Sequence, residues 1–475
     1  MVPNTHQILT ATVLALVPTL TTNTNAQVIN ENIKLLASDG AESDSFGHSN
    51  AISNGVIAVG AYIENQLGSF AGATYLFDTA GNELTKLLAK DGDAWHQFGI
   101  ALDIDNGIVA IGANGYRDTT PYAIGAVYLF DADPLSPNFG NQIAKLTADD
   151  PAATTRFATA VSIKDGIVAV GAPWADGDSF NTGAVYIFDA DPLSPNFGNQ
   201  LAKLTANDGE NRDRFGISVA IGNGIIAIGS NEDDHPGALQ NVGSVYLFDQ
   251  ITHNQIAKIL PDDPLVFDEF GNALAIDNGI LAVGASKKDD EEIGSDVGAV
   301  YLFDLDTRNQ LIKLTPFDGE LIYLFGATVA LDNNTVAVGA TFGINENGFN
   351  SGAAYTYNAD PLSEEFGTLI AKFTASDGNS YDFFGNALDV DNGILTIGAD
   401  GNDDLGTSSG SAYIFNMNPP CPADFTNDGL LNFSDVSAFL DAFGSNNPTA
   451  DFTNDGSYNF LDISAFLLTY AAGCP

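Results

Sequence analysis

Apolar residues in this chain fall in runs of five or six, broken by Gly, Asn and Asp, with almost no helical spacing before residue 420. One stretch shows the whole vocabulary: "FGIALDIDNG" from Phe98, "IVAIGA" from Ile108, "GAVYLF" from Gly125 and "AKLTADD" from Ala144. Each phrase predicts a strand, because its side chains alternate or run apolar over strand length. The Asn-Gly pair supplies the positive φ angles of a two-residue hairpin turn, so the first two phrases predict one hairpin.

The same four phrases return along the chain. A Phe-Gly pair opens units at Phe46, Phe98, Phe215, Phe270, Phe325 and Phe384, and Phe157-Ala158 holds the same place. The spacing is about 56 residues, within the range of large propeller blades. The seventh unit ends at "GSAYIFNMN" (410–418) and lacks its "AKLTA" strand, while an orphan copy, "IKLLASDG", stands at 33–40. A ring accounts for this displacement, because a first strand that completes the last blade removes an exposed edge. The expected fold is therefore all-β: a seven-bladed β-propeller closed by an N-terminal strand, over residues 27–418.

Phe-Gly followed by Gly-Ala, complete as Gly171-Ala172-Pro173, resembles the FG-GAP repeats of integrin α-subunit propellers and of exported bacterial proteins. The resemblance spans about 33–418 and implies the fold more strongly than any function. Integrin-like calcium sites are not carried over. The corresponding turns here are only Asp105-Asn106-Gly107, Asp277-Asn278-Gly279 and Asp391-Asn392-Gly393, too few oxygens for a calcium cage.

Charge narrows the partners. Lys and Arg number 16 against 61 Asp and Glu, a formal net charge of −45. Nucleic acid and anionic lipid would be repelled; calcium, a cationic partner or simple solubility remain. Residues 1–26 read as a secretory signal, with an apolar stretch from Ile8 to Leu20 too short to span a bilayer and cleavage before Gln27. No other segment predicts a membrane span, so the expected location is secreted or cell-surface.

The loops between the second and third strands vary while the strands hardly change, which is where recognition is expected. Trp95 and Trp174 fall on that face, with Tyr116, Arg117 and Tyr122 between them in sequence, a composition suited to a protein or glycan ligand. Asp39, Asp91, Asp149, Asp208, Asp318 and Asp377 ring the same face and are expected to bond their own turns.

After Pro419-Pro420 the composition changes. Residues 419–475 contain "DFTNDGLLNFSDVSAFL" and "DFTNDGSYNFLDISAFL", two near-copies with Asp, Thr, Asp, Gly, Asn and Asp at positions one, three, five, six, nine and twelve. Alternating oxygen donors with Gly at six suit a calcium loop. Two Ca2+ ions are expected, one on Asp424, Thr426, Asp428, Asn432, Asp435 and the Leu430 carbonyl, the other on Asp451, Thr453, Asp455, Asn459, Asp462 and the Ser457 carbonyl. Each loop leads into an amphipathic helix, with Val436, Phe439 and Leu440, or Ile463, Phe466 and Leu467, on one face. This small α-helical, duplicated calcium-loop unit resembles a type I dockerin, with Thr at three as a departure. The resemblance implies a protein receptor or cell-surface component as partner. Cys421 and Cys474 bracket the unit; a disulfide between them would add about 3 kcal/mol by loop-entropy reasoning.

Five His (His6, His48, His96, His235, His253) show no zinc spacing, and no Ser-His-Asp pattern or phosphate loop emerges. The residues after Phe-Gly, namely His48, Ile100, Thr159, Ile217, Asn272, Ala327 and Asn386, look like channel filler. The expected function is an exported, non-catalytic binding, adhesion or surface-display protein. The alternatives are a propeller enzyme acting on polysaccharide, as glycosidase or lyase, and a purely structural envelope component.

Overall fold

The computed structural model describes residues 27–29, 31–117, 123–150, 155–176, 180–235, 240–290, 294–316, 324–345, 347–417, 422–426, 431–445, 447–453 and 456–472. Seven antiparallel sheets follow one another in sequence. Blade one is Phe46–Ser53, Val56–Ala61, Ala73–Asp78 and Glu83–Leu87, and blades two to six repeat it. Blade seven has only three strands of its own, Leu388–Asp391, Ile394–Ala399 and Ser411–Asn416. Its fourth is Ile33–Leu35, which pairs antiparallel with Ser411–Asn416 in the register Ile33 opposite Ile414. The expected closure is thus present.

An unanticipated strand precedes it. Gln27–Ile29 runs parallel to Leu369–Phe373 on the outer edge of blade six, giving that sheet a fifth member. One terminal segment therefore fastens two adjacent blades.

The repeated phrases have a packing reason. In each blade the Phe that opens the repeat, in the first strand or just before it, stands edge-on against two rings of the third, as Phe46 does on Tyr75 at 5.5 Å and on Phe77 at 5.9 Å, a favoured aromatic geometry. The glycines join blades. A Cβ on Gly398, in the Gly-Ala pair of blade seven, would stand 2.0 Å from the carbonyl oxygen of Gly47, in the Phe-Gly pair of blade one. Only bare backbone allows that approach. The same contact recurs around the ring, for instance Gly171 against Gly216 at 2.1 Å. The residues after Phe-Gly are more than filler: Asn272 donates to the Gly326 carbonyl at 3.1 Å and Asn386 to the Gly47 carbonyl at 3.3 Å, each reaching into the next blade.

In the C-terminal region two helices are present, α1 (Phe433–Gly444) and α2 (Phe460–Ala472). Phe439 and Phe466 are buried and stack at 4.0 Å, and Phe425 and Phe452 stand edge-on against them. The expected helix faces need one correction. Leu440 and Leu467 are about half exposed, because the four-phenylalanine core is filled from Phe439 and Phe466 and leaves the leucines outside it. Cys421, Cys474 and the signal segment 1–26 lie outside the described residues.

Candidate recognition face and calcium-loop tail

The face carrying the variable loops rests on a repeated ion-pair device. Lys86 donates to Asp39 at 2.8 Å while Tyr75 donates to the other Asp39 oxygen at 2.7 Å. Lys145, Tyr128 and Asp91 repeat the arrangement, as do Lys313, Tyr301 and Asp263, and Lys34, Tyr413 and Asp377. Asp39, Asp91 and Asp377, with Asp208, which takes Lys258 at 2.8 Å, thus tie one blade's loop to the strands of the next, besides bonding their own backbone as expected. In blade three the pairing carboxylate is Asp150, which takes Lys203 at 2.6 Å, rather than Asp149. Asp318 lies outside the described residues.

The predicted aromatic residues separate on this face. Tyr116 is buried, edge-on to His96 and beneath the Lys145 ammonium 3.5 Å from its ring centre. Trp95 is half exposed and stacks on Phe70 at 4.5 Å. Trp174 is partly exposed under Arg156 and Arg214, whose guanidinium carbons lie 4.5 and 5.2 Å from its ring. Arg117 is exposed, and Tyr122 lies outside the described residues. Sequence reasoning missed Phe70, Arg156 and Arg214, which a blade-by-blade alignment of the loops would have placed beside the tryptophans. It also missed a second aromatic group, Phe342, Phe349, Tyr381 and Phe383, joined by ring contacts of 5.4 to 6.3 Å.

The central channel, about 430 Å³, is lined by the first strands of the seven blades. Among the described residues five aspartates line it, Asp103, Asp277, Asp332, Asp389 and Asp391. Asp389 accepts the N–H groups of Val390 and of Ile52 in the next blade, both at 2.8 Å, and Asp103 likewise accepts from Ile104 and Ile163. Burial, and then the Asp103 charge, push Asp389 up to about 8. Burial pushes Asp103 up to about 6 against the pull of its N–H partners. At the channel rim Asp391, Asp332 and Asp277 accept the Asn54, Asn392 and Asn333 N–H groups of the following blade. These acids serve the joints between blades.

Blade four brings Ser244, His235 and Asp233 together, but in an order unsuited to nucleophilic attack. Ser244 Oγ donates to Asp233, and His235 Nε2 faces the Gly243 carbonyl at 3.0 Å and Ser244 Oγ at 3.2 Å. A carbonyl can only accept, so Nε2 carries the proton and cannot take one from serine. Ser244 is also fully buried.

In the tail the two copies fold alike. Asp435 accepts from Thr426 N and Oγ1 at 3.0 and 2.8 Å and from Asn432 N at 2.9 Å. Asp462 does the same with Thr453 and Asn459, at 3.0, 2.8 and 2.8 Å. Asn432 caps α1 by accepting from Ser434 N, with Asp435 bonding back in a capping box. Thr426 Oγ1 lies 3.4 Å from Asp424 Oδ1, so oxygens from positions one, three and twelve converge. Asp451 accepts the Gly456 N–H at 2.8 Å, the turn from position one to position six. Asn459 Nδ2 donates to the Ser457 carbonyl at 3.3 Å. Asp428, Leu430 and Asp455 lie outside the described residues. Among the described residues no three His, Cys, Asp or Glu side chains are placed to hold a metal, and no helix is long and apolar enough to cross a membrane.

The architecture is that of a seven-bladed propeller whose blades are joined through Phe-Gly and Gly-Ala glycines. The chain belongs to the FG-GAP repeat family, which matches residues 29–77, 82–130, 141–188, 199–248, 253–303, 309–357 and 368–415. Each match starts at or near the outer strand of one blade and ends with the third strand of the next, so the sequence repeat straddles the joint. No curated protein matches the chain.

Proposed function

We propose that this is an exported, non-catalytic binding or surface-display protein, with the propeller as recognition scaffold and the dockerin-like tail as a calcium-dependent anchor. The observation that carries the reading is the duplication within the tail. Both copies gather oxygens on a helix N-terminus, and both expose the same apolar positions, Phe433 with Phe460 and Leu440 with Leu467. Hard oxygen donors at loop positions one, three, nine and twelve suit calcium, and the exposed pairs offer a protein receptor two equivalent apolar contacts. On the propeller, Trp95 on Phe70 and Trp174 under its two arginines provide stacking surfaces for a glycan or protein ligand.

A pull-down tests the reading. The chain from Gln27, and a version ending at Asn418, are incubated with envelope extract, in calcium or in chelator. A partner retained only by the full chain and only in calcium supports the anchor. Equal retention by both versions, indifferent to chelator, overturns it. Trp95→Ala and Trp174→Ala that bind soluble glycans and proteins as the parent does would remove the propeller site.

A further inference from the structure

Under the loop face blades one and five build the same small chamber, and comparing the two shows what it holds. Its wall is the third residue after the Gly-Ala pair, Glu64 in blade one and Lys288 in blade five. The backbone there is the same: Glu64 N bonds Ala61 O at 3.1 Å and receives Gly72 N at 2.9 Å, and Lys288 bonds Ala285 O at 3.1 Å and receives Gly298 N at 2.9 Å. The facing residue, two before the Phe, is Asp44 in one and Asp268 in the other, each accepting an N–H from three residues upstream at 2.7 Å.

In blade five the chamber contains a cation of the chain's own. Lys288 is 3% exposed, donates to Asp268 at 2.8 Å and to the Asp263 backbone carbonyl, and lies 3.6 Å from the Asp263 carboxylate. With Lys313 on Asp263, two ammonium groups face two carboxylates. Blade one has a carboxylate where that lysine stood. Asp39, Asp44 and Glu64 share one ammonium, Lys86, which bonds Asp39 at 2.8 Å and Glu64 Oε1 at 3.0 Å. Gln66 N also serves Oε1, while Glu64 Oε2 is buried without a partner although the residue is only 7% exposed. Burial and the nearby Glu64 charge both raise the Asp44 pKa. A buried, unpaired carboxylate oxygen beside a second buried carboxylate is costly unless a cation joins them.

We infer that blade one binds a divalent cation through Glu64 Oε2 and Asp44, with the Asp39 backbone carbonyl in the place that the Asp263 carbonyl takes against Lys288. Two positive charges restore the neutrality that blade five reaches with Lys288, and an all-oxygen donor set selects a hard ion, calcium before zinc. The site is separate from the tail and does not depend on the anchor reading.

Both tryptophans lie in the propeller, so tryptophan fluorescence reports its unfolding rather than the tail's. In the full chain, 1 mM calcium is expected to raise that midpoint by about 5 °C over chelator. Glu64→Gln should lose most of the rise. Glu64→Lys, which copies blade five, should melt in chelator as high as the parent does in calcium, and should ignore the ion. A Glu64→Gln variant that keeps the parent's full calcium response overturns the proposal. So does a parent whose midpoint follows pH but neither calcium nor magnesium, which would mean that the chamber holds a proton instead.

Discussion

Lys34 donates to Asp377 at 2.5 Å across 343 positions of sequence. The lysine belongs to the N-terminal closing strand and the aspartate to the loop joining blades six and seven. The contact is therefore part of ring closure, and Asn32, which accepts the Asn416 N–H at 2.6 Å, lies beside it.

The closing strand should carry stability in proportion to burial. Leu35 is 1% exposed and Val28, in the added strand of blade six, 53%. Leu35→Ala is expected to cost about 2–4 kcal/mol and Val28→Ala less than about 0.5 kcal/mol. Denaturant unfolding followed by tryptophan fluorescence measures both, and equal losses would contradict the closure geometry.

The joint between blades seven and one is equally specific. Gly410 has φ +82°, and a Cβ there would stand 2.0 Å from the Phe46 carbonyl oxygen. Gly410→Ala should destabilise by at least about 2 kcal/mol, combining a strained backbone with a clash. Gly55, at φ +78° with nothing near its missing Cβ, separates the two causes. Its alanine variant suffers the backbone term alone and should lose less in the same unfolding assay.

The channel acids predict a pH dependence. Asp389 is raised to about 8 in the folded state, from about 4 when unfolded, so the folded protein holds its proton more tightly. That contribution is complete below about pH 4 and is lost as pH rises toward 8. Asp39, Asp91 and Asp377 work in the opposite sense: burial opposes their charge, but their lysine and tyrosine partners offset it and hold them below the usual range. Their contribution is present above about pH 4 and is lost on acidification. Thermal midpoints from pH 5 to 9 should fall for the parent and fall less for Asp389→Asn. Identical slopes would mean that Asp389 is ionised throughout.

In the tail, Asp435 anchors both the loop and the start of α1. Asp435→Ala removes the acceptor for Thr426 and Asn432 and should weaken that helix by about 1–2 kcal/mol, seen as faster proteolysis between residues 431 and 445. Asp435→Asn keeps an acceptor and should be cut more slowly than the alanine variant. Cleavage at one rate in both would show that the network does not hold the helix.

Much of the propeller could be read from the chain because its signals are local. Strand period, Asn-Gly turns and the recurrence of Phe-Gly need only neighbouring residues, and the displaced "IKLLASDG" phrase betrays closure by simple counting. The added strand Gln27–Ile29 has no such signal, since three residues carry no period and their partner lies in blade six. Asp391 reads as a turn residue in Asp-Asn-Gly, yet its carboxylate accepts the Asn54 N–H of another blade. Tyr116 reads as a loop aromatic open to a ligand, yet it is buried beneath Lys145.

By itself, then, the sequence determined the repeated strands of the blades, the number of blades, the ring and the duplicated tail, because hydrophobic period and turn chemistry act over a few residues. Only the tertiary structure decided what the acids and aromatics do. Whether Glu64 meets Lys86, or Trp174 meets Arg156 and Arg214, depends on chain segments brought together by blade packing, and no local pattern encodes those distances.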